Sequence, residues 1–246
     1  MRKELLYGPA ALIAVWYALC ALKVVNPLFL PPPHQVLVAL WKLLSSSAAW
    51  QDILSTTWRV LLGFVLAGVI GIPVGLFMGY YARVNAAFES VIEFVRSLPA
   101  VAVFPLFMFF LGIGDASKIA TVVFSCSVVV AVNAMYGVMN TIKTRQTVAR
   151  LLDASRSEVF LRVVLMDALP QVFVGLRTSL SFAVIVIVAT EMFVGRLGIG
   201  QRILQAQLTY RVAEMYAAVF LAGLLGYGLN KGFVALERRV VHWSGR

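Results

Sequence analysis

The sequence predicts an all-α fold in which a bundle of about six apolar helices spans a membrane. Of its 246 residues, 61% are hydrophobic and only 13% are charged, and the mean hydropathy is +0.89. Soluble domains carry roughly 25% charged residues. Several apolar runs approach 20 residues, the length that a helix needs to cross a hydrocarbon core of about 30 Å. In lipid each backbone polar group must be satisfied within its own segment, so these runs are predicted to be helices.

Composition also argues against other classes of protein. The net charge of +10 does not indicate nucleic-acid binding, because Lys and Arg lie in short clusters between apolar runs, where they orient a membrane protein. Cys20 and Cys126 fall inside apolar runs, so a disulfide framework is not expected. The two histidines, His34 and His242, lie too far apart in the predicted topology to share a metal or acid–base site. We therefore expect no catalytic site, metal or cofactor on this chain.

Six segments are candidates for membrane spans. They are residues 5–22, 60–81, 98–114, 119–142, 169–190 and 213–230. Pro99 and Pro105 are expected to shorten or bend the third. Only a short polar stretch separates the third segment from the fourth, which predicts a tight helical hairpin. We expect one transmembrane domain over residues 1–246, with its core at 55–240.

The first run follows Arg2 and Lys3, an arrangement that also suits a cleaved signal peptide. Its apolar stretch is longer than the usual signal core and no small-x-small site ends it, so a retained helix is favoured. Lys and Arg are concentrated at both termini and in the segments 83–96 and 143–162. By the positive-inside rule, both termini are then expected in the cytoplasm.

Between the first two spans, three prolines at 31–33 precede an amphipathic stretch at 34–44. The prolines stop any preceding helix. An apolar face is then predicted, which favours a helix lying in the outer membrane interface. Its members are Val36, Leu37, Leu40, Trp41 and Leu44.

Glycines recur every four residues in the second span, at Gly71, Gly75 and Gly79. This spacing places them on one helical face, where small residues let a neighbouring helix approach closely in lipid. Gly228 and Gly232 repeat the spacing in the sixth span. Close packing within the bundle is the expected role of both sets, and a specialised gate is the alternative.

Residues 143–167 form a charged helical stretch between two apolar spans. Basic and acidic side chains alternate along it, and an apolar stripe runs beside them, which favours a partner protein. The stripe consists of Leu151, Leu152, Val159, Phe160, Val163 and Val164. Asp153 is a candidate N-cap, and Ala154 and Ser155 are small enough for close contact with another protein. An ordinary charged loop explains this segment equally well when it is taken alone.

Five stretches, in this order and spacing, resemble the permease subunits of type I ABC importers in the nitrate, sulfonate and taurine branch. They are LFLPPPHQVLVAL, RVLLGFVLAGVIGIPVGLFMG, VRSLPAVAVFPLFMFFLGIGDASK, DASRSEVFLRVVLMDALPQVFVGLR and ATEMFVGRLGIGQRI. The resemblance covers residues 30–243. It implies a second permease copy, most simply in a homodimer, in the cell inner membrane. It also implies two ATPase subunits that hold ATP and Mg²⁺, and an extracytoplasmic substrate-binding protein.

The resemblance identifies residues 143–167 with the loop that transmits ATPase motion, which is named for a Glu-Ala-Ala sequence. The contact with the ATPase is then expected at Arg150, Asp153, Ala154, Ser155, Arg156 and Phe160. Residues 147–149 are Thr-Val-Ala here, so an ion pair from the family's glutamate is not expected. Asp153 replaces the glycine that usually follows. Asp tolerates left-handed backbone angles better than most residues, so the turn is expected to persist.

Met108, Asn133, Arg177 and Glu191 are candidates for the lining of a translocation pathway. Arg177 lies about 12 Å along its helix from Leu169, a depth at which a charge must face the bundle or snorkel. It is either an anion-attracting group or a structural arginine, and Gly-Leu-Arg, which resembles a family-wide element, favours the second. The expected solute is small, such as the anion nitrate, a sulfonate or taurine. A self-sufficient carrier or a channel is the alternative, but the spans hold almost no carboxylates to couple ions.

Overall fold

The computed structural model describes residues 4–26, 28–141 and 143–243, without the side chains of residues 4–6, 9, 143, 146 and 150. Within those ranges the regular structure is helical. The helices are α1 (Glu4–Ala21), α2 (Pro33–Leu44), α3 (Ser47–Tyr80), α4 (Ala82–Ser97), α5 (Ala100–Leu111), α6 (Asp115–Met139), α7 (Lys143–Leu151), α8 (Arg156–Phe193), α9 (Ile199–Leu208) and α10 (Val212–Val240). Helix α8 contains a π-helical turn at Val159–Val164.

Four of the described helices are long and apolar enough to cross a membrane, namely α3, α6, α8 and α10. Helices α4 and α5 bend by 95° at a short break and count as a fifth span only if the pair is taken together. The predicted helical membrane bundle is therefore confirmed, and the third predicted span is shortened and bent as its prolines led us to expect. The first predicted span corresponds to α1, whose apolar part with described side chains is Ala10–Ala21. Helix α5 is short because Pro99 ends the preceding helix and begins a new one.

By their internal contacts the described residues form two compact units. The first comprises the described parts of Met1–Thr56 and Glu191–Leu225. In this unit α2 contacts α1 and buries Val36, Leu40 and Leu43. Leu37 and Trp41, which the sequence placed on the same face, are exposed. The buried positions recur every three or four residues, so the predicted amphipathic helix is present with a narrower buried face than expected.

The second unit comprises Thr57–Thr190 and the described part of Gly226–Arg246. Within it, α3 and α6 form a close seam, where the predicted glycine face meets the backbone of its neighbour. A Cβ atom added at Gly75 would lie 2.1 Å from the carbonyl oxygen of Ala131, closer than any real contact. The same holds one turn away on each side, at 2.5 Å for Gly71 with Ser127 and at 2.6 Å for Gly79 with Met135. The glycine prediction for this helix is therefore confirmed.

The predicted hairpin of α5 and α6 is also present. Gly112 has φ +78° and ends α5, which is the left-handed backbone that glycine adopts most readily. At the start of α6, Asp115 accepts a hydrogen bond from Arg59 Nε of α3 at 2.8 Å. An acidic side chain in the first turn favours the helix, and the pairing neutralises a buried guanidinium.

Two apolar clusters complete the second unit. One joins α3, α6 and α8 around Val60, Cys126 and Ile187, and the other joins the same helices around Leu76, Val138 and Val164. The sixth predicted span differs, because a Cβ atom at Gly228 or Gly232 would meet nothing within 4 Å. The prediction that these two glycines pack within the bundle is therefore wrong for this chain. The four-residue spacing recurs, but no described helix lies against it.

We predict that Gly75→Ala destabilises the protein, whereas the matched control Gly228→Ala does not. The added methyl at position 75 would clash with backbone that cannot rotate away, and overpacking of this kind typically costs about 1–3 kcal/mol. The free energy of unfolding in detergent, or the melting temperature of the purified protein, measures the difference. Equal stability of the two variants would contradict the backbone contact between α3 and α6.

Candidate functional site

The segment 143–167 consists of two short helical stretches joined by a left-handed turn. Helix α7 ends as Ala154 N donates to the carbonyl oxygen of Ala149 at 3.1 Å, across a residue with positive φ. That residue is Asp153, with φ +57°. This is the arrangement with which glycine commonly closes a helix. The expectation that Asp153 preserves the turn in place of glycine is therefore confirmed.

Helix α8 begins at Ser155 and not at Asp153, so the predicted N-cap is wrong by two residues. Ser155 Oγ accepts from Glu158 N at 3.3 Å, and Glu158 Oε2 accepts from Ser155 N at 2.9 Å. This reciprocal capping box needs an extended backbone at the cap, which Ser155 has with φ −63° and ψ 158°. Asp153 cannot supply it, because its left-handed backbone already closes α7.

The π-helical turn of α8 attaches this segment to the rest of the second unit. Val159 and Val164 are buried and pack with Leu76 and Ala168. Phe160 packs edge-on against Tyr80, with ring centroids 5.0 Å apart. Part of the predicted apolar stripe therefore meets the chain's own helices. Phe160 in particular is half-buried against α3 rather than presented on the surface.

A groove of about 340 Å³ opens beside the turn. It is lined by Tyr80, Ala154, Arg156 and Val159. The rest of the predicted stripe stays outside, since Leu151 and Leu152 are each 77% exposed. The small Ala154 leaves room in the groove, and the exposed apolar side chains next to it form a surface suited to a partner protein.

The predicted coupling residues occupy different positions in this arrangement. Ala154 and Arg156 line the groove, and Asp153 and Ser155 form the turn and the cap beside it. The side chain of Arg150 lies outside the described residues. Sequence reasoning missed Tyr80, which supplies one wall of the groove. Tyr80 lies at the end of the glycine-bearing helix α3. That position indicates a place in the groove only when α3 is already known to approach residues 143–167.

The four pathway candidates do not share one surface. Met108 is half-buried in α5. Asn133 of α6 packs against Gly175 of α8 and accepts from Gln171 Nε2 at 3.1 Å. Arg177 comes two residues after Gly175, about 200° further around α8, and so lies on the opposite side of that helix. Arg177 is exposed, whereas Asn133 is engaged between two helices.

Glu191 belongs to the first unit and is fully buried. Its carboxylate accepts from Thr56 Oγ1 at 2.9 Å and from Gly200 N at 3.0 Å. Gly198 lies against it with φ +132°, and a Cβ atom there would be 2.3 Å from the carboxyl carbon. Glu191 therefore serves in this structure to cap the start of α9.

Two further side chains complete this buried network, and sequence reasoning missed both. Asp52 Oδ1 accepts from Gly198 N at 2.8 Å, and Asp52 Oδ2 accepts from Arg202 Nε at 2.7 Å. Thr56 Oγ1 also accepts from Ile199 N at 3.0 Å. Three amide groups at the start of α9 thus find acceptors, which a helix end requires when it is buried. Asp52 and Thr56 are four residues apart before an apolar span, a spacing that places both on one face.

Within the described ranges, no group of three or more His, Cys, Asp or Glu side chains has the arrangement of a metal site. The chain is thus a multi-span helical membrane protein with an apolar and basic segment presented at its surface. Comparison with known proteins gives the class of this molecule. The family model described as "Binding-protein-dependent transport system inner membrane component" matches residues 71–242. The chain belongs to this family and is a transport permease subunit of the ABC importer type.

Curated relatives match over nearly the whole chain. The taurine transport system permease protein TauC of Escherichia coli (strain K12) is 32% identical over 96% of this chain and 88% of its own length. A probable ABC transporter permease of Brucella abortus (strain 2308) is 35% identical over 95% of this chain and 92% of its own. The nitrate import permease protein NrtB of Synechocystis sp. (strain ATCC 27184 / PCC 6803 / Kazusa) is 28% identical over 94% and 86%.

Solved structures share the fold. A chain of the inward-facing MetNI methionine ABC transporter superposes with a TM-score of 0.70 at 18% identity. The match covers 78% of this chain and 96% of that one. The predicted permease fold of type I ABC importers is therefore confirmed.

We predict that Thr56→Val destabilises the protein more than the exposed control Thr144→Val. The substitution at 56 keeps the side-chain shape, but it removes the donor to Glu191 and the acceptor for Ile199 N. Leaving buried polar groups without partners costs about 1–3 kcal/mol. Thermal unfolding of the purified protein compares the two variants. Identical melting temperatures would show that the buried network does not stabilise the fold.

Proposed function

We propose that this chain forms the translocation pathway of a binding-protein-dependent ABC importer and receives the motion of its ATPase through residues 143–167. The observation that carries the proposal is the groove between Tyr80 and Ala154, with Leu151 and Leu152 exposed beside it. This surface combines Arg156 with exposed apolar side chains, and Val159 and Phe160 attach it to the membrane helices. A push on the segment is thereby passed to α3 and α6 through packed side chains, which are close to incompressible.

The proposed protein partners are inferred from the family and from the absence of an ATP-binding motif in this sequence. The sequence contains no Gly-x-x-x-x-Gly-Lys-Ser/Thr phosphate loop, so ATP and Mg²⁺ are assigned to separate subunits, two per transporter. A second copy of this chain is the simplest partner within the membrane. The family's description as a binding-protein-dependent system supports an extracytoplasmic substrate-binding protein.

The solute proposed is a small molecule with a sulfur or nitrogen oxyanion. Relatives are named for the transport of taurine, of aliphatic sulfonates and of nitrate. These three share a compact group with two or more equivalent oxygens and a delocalised negative charge. In the middle of α8, Arg177 is an exposed arginine whose guanidinium suits such a group.

Orientation follows from the basic residues. The 143–167 segment carries several arginines, and Arg238 and Arg239 end α10, so both termini and this segment are placed in the cytoplasm, in the inner membrane of the cell. This orientation brings the groove to the side on which ATP is present.

We predict that a single cysteine at Ser157→Cys, in a chain with Cys20 and Cys126 replaced by Ser, reacts with an impermeant maleimide only from the cytoplasmic side. Ser157 is exposed in the segment, so its access depends on topology rather than on packing. Labelling of intact cells is compared with labelling of inside-out vesicles. Rapid labelling in intact cells would reverse the orientation and rule out contact with a cytoplasmic ATPase.

We predict that Ala154→Arg separates the permease from its ATPase, whereas the matched control Ala235→Arg on exposed α10 does not. The new side chain would fill the groove, and overpacking of a close contact typically costs about 1–3 kcal/mol, to which a desolvated charge adds. The variant should insert and fold normally, yet fail to co-purify with the ATPase or hydrolyse ATP without uptake. Co-purification, ATPase activity and uptake are measured in proteoliposomes with the binding protein present. Wild-type behaviour of Ala154→Arg would refute the coupling role.

A further inference from the structure

A groove of about 480 Å³, lined by both apolar and polar side chains, lies on the exposed side of α8, within the second unit. Its polar lining comes from Arg177, Thr178 and Ser181 of α8 and from Asn230 and Glu237 of α10. Both helices are long and apolar enough to cross a membrane. A row of polar side chains on such a surface is unfavourable against lipid, so this side of α8 is suited to water or to a polar solute.

The guanidinium of Arg177 is held in place by neutral groups. Arg177 Nε donates to Asn230 Oδ1 at 3.2 Å, and Asn230 Nδ2 donates to Ser181 Oγ at 3.2 Å. The amide of Asn230 is therefore fixed from both ends and orients the arginine without neutralising it. The terminal amino groups of the guanidinium donate no hydrogen bond to any described residue, and they retain their full capacity for a ligand.

The charge of Arg177 is also without a counter-ion among the described side chains. Glu237, the acidic member of the groove, is seven residues from Asn230, about 10 Å further along α10. No ion pair joins Glu237 to Arg177 in the described part of the chain. A guanidinium presents parallel N–H donors that match two oxygens of a planar or tetrahedral oxyanion. A positive group inside a low-dielectric wall also raises the local concentration of anions.

We propose that this groove is an oxyanion-binding site on the solute route, in which Arg177 binds the sulfonate-like or nitrate-like group and Asn230 is a positioning residue. The site lies on the side of α8 opposite Asn133, so the route follows the face shared by α8 and α10. This inference rests on the proposed function, because the groove must open to water in the assembled importer. A lipid phosphate has similar chemistry, and the test separates that source from a water-borne anion.

The test uses the full importer complex, with Thr178→Cys as the reporter in a chain whose Cys20 and Cys126 are replaced by Ser. Thr178 is exposed on the groove, and its hydroxyl donates to the carbonyl oxygen of Val174 in its own helix. The probes are two methanethiosulfonate reagents of similar size, one carrying an ethylsulfonate and the other an ethyltrimethylammonium group. Reaction rates are measured in inside-out and right-side-out vesicles, both without nucleotide and in the vanadate-trapped state. Each rate is divided by the rate of the same reagent with a free thiol in solution, because a thiolate by itself favours the cationic reagent.

We expect the sulfonate reagent to react about tenfold faster than the cationic one in at least one state, by the attraction of anions to a positive cleft. Arg177→Gln should bring the ratio close to one, and Arg177→Lys should retain most of it. Asn230→Ala should lower the ratio in part, because the arginine loses its orientation. In the matched control, Ser157→Cys should keep its own ratio unchanged when Arg177→Gln is added.

Two results would overturn the inference. Equal rates for the two reagents, or a ratio that Arg177→Gln leaves unchanged, would show that the arginine does not attract anions there. Slow reaction of Thr178→Cys with both reagents in every state would place the groove against lipid or against the second permease copy. Both results are read on the permease chain itself, so they remain distinct from a failure of Ala154→Arg to uncouple the ATPase.

Discussion

The backbone contact between α3 and α6 is the constraint on which the second unit depends. Without a hydrophobic driving force between helices in lipid, their association relies on close van der Waals packing, which glycine permits by removing the Cβ atom. Here Gly75 approaches a carbonyl oxygen of α6 so closely that no other residue fits. The contact fixes the direction of α3, and its last turn then delivers Leu76 and Tyr80 to the start of α8.

Tyr80 and Val159 connect residues 143–167 to the membrane helices, so that a force on this segment is transmitted to them. A loop of charged residues would bend under load, whereas this segment has two short helical pieces with closed ends. The left-handed Asp153 ends the first piece and the Ser155–Glu158 capping box begins the second. Their hydrogen bonds satisfy the helix ends locally, which leaves Leu151 and Leu152 free for contact with another protein.

Polar side chains of this apolar chain occur in two different environments. In the first unit, Glu191 and Asp52 are buried, and each accepts a backbone amide at the start of α9 and a side-chain donor. A buried network of this kind is stable because its members satisfy one another. In the second unit, Arg177 is exposed and is oriented by Asn230, but no carboxylate among the described side chains forms an ion pair with it. The buried network stabilises the first unit. The exposed guanidinium of Arg177 keeps hydrogen-bond donors available for a ligand.

Much of the fold was available from local patterns. Long apolar runs predicted the helices, four-residue spacing predicted the glycine face of α3, and Pro99 predicted the break before α5. The left-handed turn at Asp153 was also predicted, because its cause lies in the backbone preference of a single residue. Such features depend on residues within one or two helical turns of each other, so the sequence alone carries them.

Tertiary structure decided the features that join distant residues. The same glycine spacing is packed at Gly75 and unpacked at Gly228, and nothing local distinguishes the two positions. Phe160 belonged to a stripe predicted to contact a partner, yet it packs against Tyr80, which is 80 residues away in the chain. Glu191 was predicted only as a pathway candidate, and the folded chain added its acceptance of hydrogen bonds from Thr56 and Gly200. The sequence determined which segments are helices and which faces are small or apolar. Only the folded chain determined what each face meets, because a hydrophobic or polar face specifies the kind of neighbour it needs and not which neighbour is within reach.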